Sequence, residues 1–600
     1  MLVSTNVKSL QSLLQPVVAT DENIIHELSA DYERMKTARS KWEAEREETM
    51  TFIAATDTKT TTNSKLPFKN STTINKLSQL RNNLVTAYME HLIPNSNWVQ
   101  YVAKAASDQD IERRAVVENY VRNKVEESDA ESVIERLVDD YVVSGVSCSF
   151  SRHVNRSQRT VGGTVNNVYT GAEAIRVDPN DVLWDVTATS LEDARKCVRA
   201  VYTLGSLRKH IGESSESIMS ESDFQRLRED RMAIKSGLTD GQGGRRKFEA
   251  LQKNGFGDQL NYIEQGTVEV LHFYGDFYDF EKDELLENYE IVIVDRRFVT
   301  RKEPMDSWLG RKNLHLSVWE FRDDSLAPIG PLARVVGLQY KLDKLENLKA
   351  DIYDKFADPA TVETGDVRFH GVQGAPGARY EVDEGGSVTY LTPPPDVLRF
   401  ETQIPFTMDL MEELSGAPKE AIGQRTPGEK TKFEVQLLDQ GQSKLFRRKV
   451  KKFEREMLTP LLEDFLIQGR ENLDAGDTVR VLDSELGVET FVDITAEDLQ
   501  GSGRIVAKGA TIFAERANAL QNLNVIMNSG MGSLLNPHIS RKKLAVAVET
   551  LADLGEYGLF FPNIGIQEDT ESQRLAAKAD DNTAASTLTG ANVSDETAQL

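Results

Sequence analysis

With 600 residues, 39% of them hydrophobic and 28% charged, the chain can bury several cores, and roughly three or four structural units are expected. A formal net charge of -24 argues against a protein that coats nucleic acid, though not against one that surrounds it without adhering, because like charge weakens contact with phosphates. Two cysteines, Cys148 and Cys197, exclude a disulfide scaffold and a multi-cysteine zinc site and suit a reducing cytoplasm. No run approaches the ~20 apolar residues of a membrane span, and the N-terminal stretch lacks the layout of a signal peptide, so neither is expected.

Residues 20–50 are charged and helix-favouring, and a Thr-rich loop or extended segment follows. Asn70 or Ser71 is expected to cap the next helix, which carries Leu77, Leu80, Leu84, Ala87 and His91 at helical spacing and ends at Pro94. Trp98 and Tyr101 follow as its anchors. Two amphipathic helices are expected at about 108–127 and 130–144, the second stopped by Gly145, and a strand runs through VSCSFSRHV. Residues 160–205 alternate in the manner of strands around an Asp178-Pro179-Asn180-Asp181 turn. Asp178, Asp181 and Asp185 invite a metal reading. Oxygen-only sites need about six or more ligands and no others are evident, so turn and cap carboxylates are the better reading. Residues 205–260 read as polar helix broken by a surface loop at Gly241, Gly243 and Gly244.

Residues 266–325 form the clearest strand block, with short or alternating runs of Val, Ile, Phe, Tyr and Trp. A helix follows Pro328 and Pro331 over 332–357, roughly 40 Å long. Its stripe is Leu338, Leu342, Leu345, Leu348 (or Lys349), Ile352 and Phe356. An extended block runs to about 395, TYLTPPPD breaks it, and 404–416 is helical again. After Gly476 two strand segments precede helices at 514–528 and 539–554, and from about Gln567 an acidic tail poor in large apolar residues reads as disordered.

The organising stretch is Ser415–Gly469. A loop punctuated by Gly and Pro, 415–428, runs into a long helical pattern in which Phe446, Val450, Phe453, Met457, Leu461 and Phe465 share one face. Between them lie Lys444, Arg447, Arg448, Lys449, Lys451, Lys452 and Arg455, a cationic stripe in an acidic chain. It reads either as a solvated face or as a surface turned toward something anionic. Pro460 removes a backbone donor and is expected to kink or end the helix.

No constellation demands chemistry. Gly423–Thr431 resembles a phosphate-cradling GxxxxGK[ST] loop, but Glu429 separates Gly428 from Lys430 and a helix pattern stands where a buried strand should precede it. The eight histidines lack metal-ligand spacing, and neither a GxSxG elbow nor a catalytic-cysteine signature occurs. No catalytic, metal or cofactor residues are assigned.

Taken in order, four stretches resemble the portal (head–tail connector) proteins of tailed bacteriophages, most like those of short-tailed phages. They are NSTTINKLSQLRNNLVTAYMEHLIPNSNW, RVDPNDVLWDVTATSLEDARKCVRAVYTL, PIGPLARVVGLQYKLDKLENLKADIYDKF followed by Asp-Pro, and the loop and helix at 415–469. The resemblance spans roughly 63–530 and rests on their order. It implies an α+β, helix-rich fold with wing, stem, clip and crown. The expected divisions are an N-terminal wing region (1–221), a candidate first stem segment (222–265), a β-rich clip (266–327) and a stem helix (328–358). A wing follows with channel loop 415–428 and long helix 429–469 (359–474), then a crown (475–565) and a disordered acidic tail (566–600).

The resemblance also implies a non-enzymatic, dodecameric homo-oligomeric ring around double-stranded DNA, bound without sequence specificity. The ring would sit in the virion at one capsid vertex, made in the bacterial host's cytoplasm, with the major capsid protein, terminase and a tail adaptor protein as partners and no membrane or cofactor. Lys419, Arg425, Lys430 and Lys432 are candidate phosphate contacts on the loop, ordinary surface charge being the alternative. Arg447, Arg448 and Lys451 are candidate contacts to a neighbouring subunit. Competing expectations are another virion assembly or scaffold protein, and a nucleotide-dependent packaging enzyme.

Overall fold

A computed structural model describes residues 21–54, 72–94, 98–102, 108–159, 165–211, 218–239, 266–279, 284–305, 314–323, 325–357, 359–370, 379–391, 401–416, 446–473, 477–482, 489–500 and 503–507, with isolated positions beyond. The Thr-rich 55–71 with its Asn70 and Ser71, the glycines at 241–244, the TYLTPPPD break beyond 391, the helices proposed at 514–528 and 539–554 and the acidic tail therefore lie, wholly or mostly, outside the described residues.

The first described element, α1 (Asp21–Ala54), is one 34-residue helix without a Gly or Pro to interrupt it. Next, α2 (Lys76–Leu92) begins later than expected. Asn75 is the cap, its side chain accepting from the Ser78 N–H at 3.1 Å, and residues 72–75 before the helix lie outside any helix or strand. Leu77, Leu80, Leu84 and Ala87 are buried, and Trp98 and Tyr101 are the expected anchors, both almost inaccessible. Tyr101 lies on β1 (Val99–Val102). Two helices follow as expected, α3 (Asp108–Glu127) and α4 (Ala130–Val143). Gly145 stops the second, with φ +75°, a conformation that glycine adopts without steric cost.

Beyond it, β2 (Val146–Arg159) pairs with β3 (Val165–Val177) and, along its other edge, with a strand from the block after residue 266. Asp178 caps a single turn through Asn180 N–H, Asp185 accepts from Thr187, and Asp181 pairs with Arg199, which matches the turn-and-cap reading of these carboxylates. β4 (Val182–Trp184) and β5 (Lys196–Thr203) follow, then α5 (Glu221–Thr239).

The strand block splits among three sheets, the smallest a two-stranded hairpin. β6 (Thr267–Asp279), β7 (Glu284–Val294) and β8 (Phe298–Pro304) extend β4 and β5 into a five-stranded antiparallel sheet, order β4-β5-β6-β7-β8. β9 (Leu314–Val318) instead completes the three-stranded sheet β3-β2-β9. Strand alternation explains the layering of the larger sheet. Leu271, Phe273, Ile291 and Ile293 face Ile24, Leu28, Tyr32 and Met35 of α1, while Val268, Val270, Val292 and Val294 face Phe224 and Leu227 of α5. The candidate first stem segment is thus, over its described part, a helix laid on this sheet.

β10 (Glu320–Phe321) and β11 (Pro328–Ile329) close a short hairpin before α6 (Val336–Ala357). The buried row of α6 differs from the predicted stripe. Leu342 and Ile352 are buried, but so are Gln339, Asp343 and Asn347, spaced four apart. These three hold the segment before α2. Gln339 Nε2 donates to Ile74 O at 2.6 Å, and Asp343 and Asn347 accept from the N–H groups of Ile74 and Thr72. β12 (Ala360–Thr364), β13 (Val367–His370), β14 (Arg379–Val382) and β15 (Ser387–Leu391) build one two-stranded ribbon, and α7 (Gln403–Ser415) leads to residue 417.

Residues 446–472 form α8, followed by the hairpin β16 (Asp477–Leu482) and β17 (Glu489–Ile494), then β18 (Arg504–Ala507), which pairs antiparallel with β1. The largest core gathers α2, α3, α4, α6, α7 and α8. The protein is of mixed helix and strand, α+β.

Candidate functional site

Helix α8 runs through the largest core. Phe446, Val450, Phe453, Met457, Leu461 and Phe465 are all buried, as their spacing predicts, and Phe446 meets the rings of Tyr88 and His91 edge-on. Pro460 does not end the helix. A single π-turn, Glu454–Leu458, precedes it, with Thr459 N–H donating to Glu454 O, and the helix continues through Asn472. Widening the ladder just before the proline lets the chain pass the missing donor without a break. Nine consecutive residues, Leu461 to Gly469, are then buried, so this stretch of α8 has no solvent face.

That complete burial needs polar partners, and the three-stranded sheet supplies them. Ser147, Ser149 and Ser151 alternate along β2, and His315 and Ser317 along β9, all buried. Ser149 Oγ lies 3.1 Å from Met457 Sδ, and Ser317 Oγ donates to Glu456 at 3.2 Å. Asp464 Oδ2 accepts from Ser151 Oγ and stands 2.6 Å from His315 Nε2. Although Ser, His and Asp meet here, they do not form a nucleophilic triad. The carboxylate, not the imidazole, stands in the middle, so no imidazole faces the hydroxyl to take its proton, and Ser151 is fully buried. The cluster fixes the helix on the sheet.

The basic run divides by helical phase. Lys452 Nζ donates to Val318 O at 2.6 Å. Lys449 Nζ donates to Trp319 O at 2.7 Å, pairs with Glu320 at 3.1 Å and lies 4.0 Å from the centroid of the Trp319 ring. Burial lowers the Lys449 ammonium pKa below its ordinary value, against the pull of Glu320. Burial also raises the Glu454 carboxyl to about 7, with Lys451 acting in the opposite direction. Arg447, Arg448, Lys451 and Arg455 are exposed. Lys444 lies outside the described residues; of the other six, two are internal anchors and four are outward cations, not one solvated face.

No protein-family model matches this chain, and no curated protein matches it.

The four loop candidates, Lys419, Arg425, Lys430 and Lys432, and the phosphate-loop lookalike at 423–431 lie outside the described residues, as does the first part of the predicted long helix, 429–445. The flanks of that segment are described. α7 ends at Ser415 with Gly416 at φ +73°, and the chain re-enters at Phe446 in the main core. Two features escaped sequence reasoning. One is the serine alternation in VSCSFS, visible as a period of two but read only as strand. The other is the buried Lys76–Glu412 pair, 336 residues apart, for which the sequence holds no signal.

Proposed function

We propose that this chain is a subunit of the portal ring of a tailed bacteriophage, a structural conduit for double-stranded DNA rather than an enzyme. The observation that carries the reading is α8. A helix buried along most of its length re-enters directly after the 417–445 segment and turns four cations outward, the arrangement a channel loop on a rigid wing helix requires. The order of blocks supports it too: early helices, a strand-rich middle, the α6 helix, a ribbon, then loop and core helix. In this reading Lys419, Arg425, Lys430 and Lys432 touch backbone phosphates without reading sequence. Four loop cations in a chain of net charge -24 keep salt-dependent adhesion low, so the duplex slides. Arg447, Arg448 and Lys451 meet the neighbouring subunit in a heterologous contact that must close, giving a dodecamer in the virion. The major capsid protein holds the ring at one vertex, and terminase and then the tail adaptor dock on it.

Negative-stain imaging of the purified chain with a native mass measurement tests this. Closed rings of about twelve subunits with a hole wide enough for duplex DNA are expected. A compact small oligomer without a hole turns the reading toward a scaffold. ATP hydrolysis abolished by Lys430→Ala turns it toward a packaging enzyme.

A further inference from the structure

The ribbon of β12–β15 is the least covered part of the described chain. It kinks at Gly365 (φ +87°) and Gly385 (φ +92°), and none of its strands pairs outside the ribbon among the described residues. A lone two-stranded ribbon is marginal in water, and open edges invite pairing or cover. Its outer half is amphipathic. Val367 opposes Val382 and Phe369 opposes Tyr380, so all four share one face, with the Phe369 and Tyr380 ring centroids 4.9 Å apart. Phe369 is 36% and Val382 44% exposed. On α7, Phe406 and Leu414, spaced for one helical face, also point outward. Among the described residues, eight of the fourteen exposed large apolar side chains fall in the sequence between Tyr353 and Leu414, four of them, Val362, Phe369, Val382 and Tyr390, within the ribbon strands and a fifth, Leu391, at the end of β15. Around the kink stand four exposed acids, Glu363, Asp366, Asp383 and Glu384.

The complementary surface is the outward row of α8, Arg447, Arg448, Lys451 and Arg455. Both surfaces are exposed in the single chain, so neither covers the other within it. The four acids at the kink match a row of four cations, of which Arg455 also pairs with Glu456 at 3.3 Å, and the apolar stems and guanidinium planes of such cations cover aromatic faces like those farther along the ribbon. We propose that the ribbon is an intersubunit arm, its acidic kink and apolar face docking on the cationic row of α8 in a second copy of this chain. The two surfaces differ, so the contact is heterologous and propagates from copy to copy. This rests on the ring reading above and names the counter-surface for Arg447 and Arg448.

The test uses two full-length variants, Arg447→Glu/Arg448→Glu and Asp383→Lys/Glu384→Lys, followed by native mass and sedimentation at low salt. Each alone is expected to self-associate roughly tenfold more weakly or worse, because like charges meet across the contact. All four positions are exposed, so melting of each protomer stays that of the wild type. Mixing the two variants restores assembly in alternation, since each ribbon then finds a row of opposite sign. Variants that assemble like the wild type, a mixture that fails to recover, or a wild type that stays monomeric at every accessible concentration each overturn the proposal. Imaging separates it from the ring reading. Wild-type rings with a central hole but no recovery on mixing sink the arm alone. Recovery on mixing in oligomers without a hole keeps the arm and sinks the portal reading.

Discussion

Lys76 Nζ lies 2.6 Å from Glu412 Oε1, with side-chain exposures of 7% and 3%. Lys76 opens α2 and Glu412 sits in the last turn of α7, so this buried pair ties the root of the 417–445 segment to the N-terminal helices. Removing one partner strands a charge. Lys76→Met is expected to cost about 3–5 kcal/mol, while Lys76→Met/Glu412→Leu recovers most of it. Urea unfolding of the three chains checks this, and a double variant no better than the single one refutes it.

Asp343 carries a stability dependence on pH of known sign. Burial raises its carboxyl to about 6, against the hydrogen bonds from Ile74 N–H and Gln339. The unfolded value is about 3.9. Between the two the unfolded chain loses its proton first, so this group lowers stability as pH rises from about 4 to about 6, and the loss persists above. Asp343→Asn keeps the accepting oxygen and removes the titration. Relative to wild type it should gain about 1–2 kcal/mol between pH 4 and pH 7, after allowance for solvent screening. Unfolding midpoints that shift in parallel across that range contradict the assignment.

Where one residue pattern has one physical cause, the sequence was legible. The α8 stripe, the α2 stripe and the end of α4 at Gly145 all follow from helical period and backbone sterics, and the structure holds them. The polar row of α6 was not read, because a search for apolar stripes passes over Gln339, Asp343 and Asn347 although they too recur every fourth residue. Lys449 and Arg448 are neighbours with the same charge; helical phase sets Lys449 against the buried row, and Trp319, just beyond β9, supplies the carbonyl and ring that hold it. Pro460 obeyed its local rule, and a π-turn upstream absorbed the consequence. Of the proposed site, only the interface candidates on α8 fall on described residues.

Gly145 and Gly330 touch backbone to backbone. A Cβ at Gly145 would lie 2.4 Å from Gly330 N, in a conformation with φ +75° that already disfavours a side chain. Gly145→Ala is expected to cost about 2–4 kcal/mol from clash and backbone strain together. Gly337 in α6 is the control, since a Cβ there meets nothing within 4 Å. Gly337→Ala should stabilise by about 0.4–1 kcal/mol. Equal effects of the two substitutions on the urea midpoint would contradict the close approach.

The division of the basic run predicts that adjacent cations fail in different assays. In Lys449→Met, Trp319 O loses its donor, Glu320 loses one of its two partners and the aromatic ring loses its cation, while the stem is retained. A buried acceptor left without a donor costs about 1–3 kcal/mol, so the unfolding midpoint of the protomer should fall. Arg448→Met removes an exposed charge with no such anchor among the described residues, and the midpoint should stay within about 0.5 kcal/mol of wild type. Self-association should show the reverse order: weakened by Arg448→Met, and by Lys449→Met only so far as the fold itself is lost. Raised salt should weaken wild-type association and narrow its difference from Arg448→Met, since exposed charges are screened within about 10 Å at 0.1 M, whereas the Lys449 effect on unfolding should persist. If both substitutions lower the protomer's stability equally, the division of the stripe into internal anchors and an outward row is wrong.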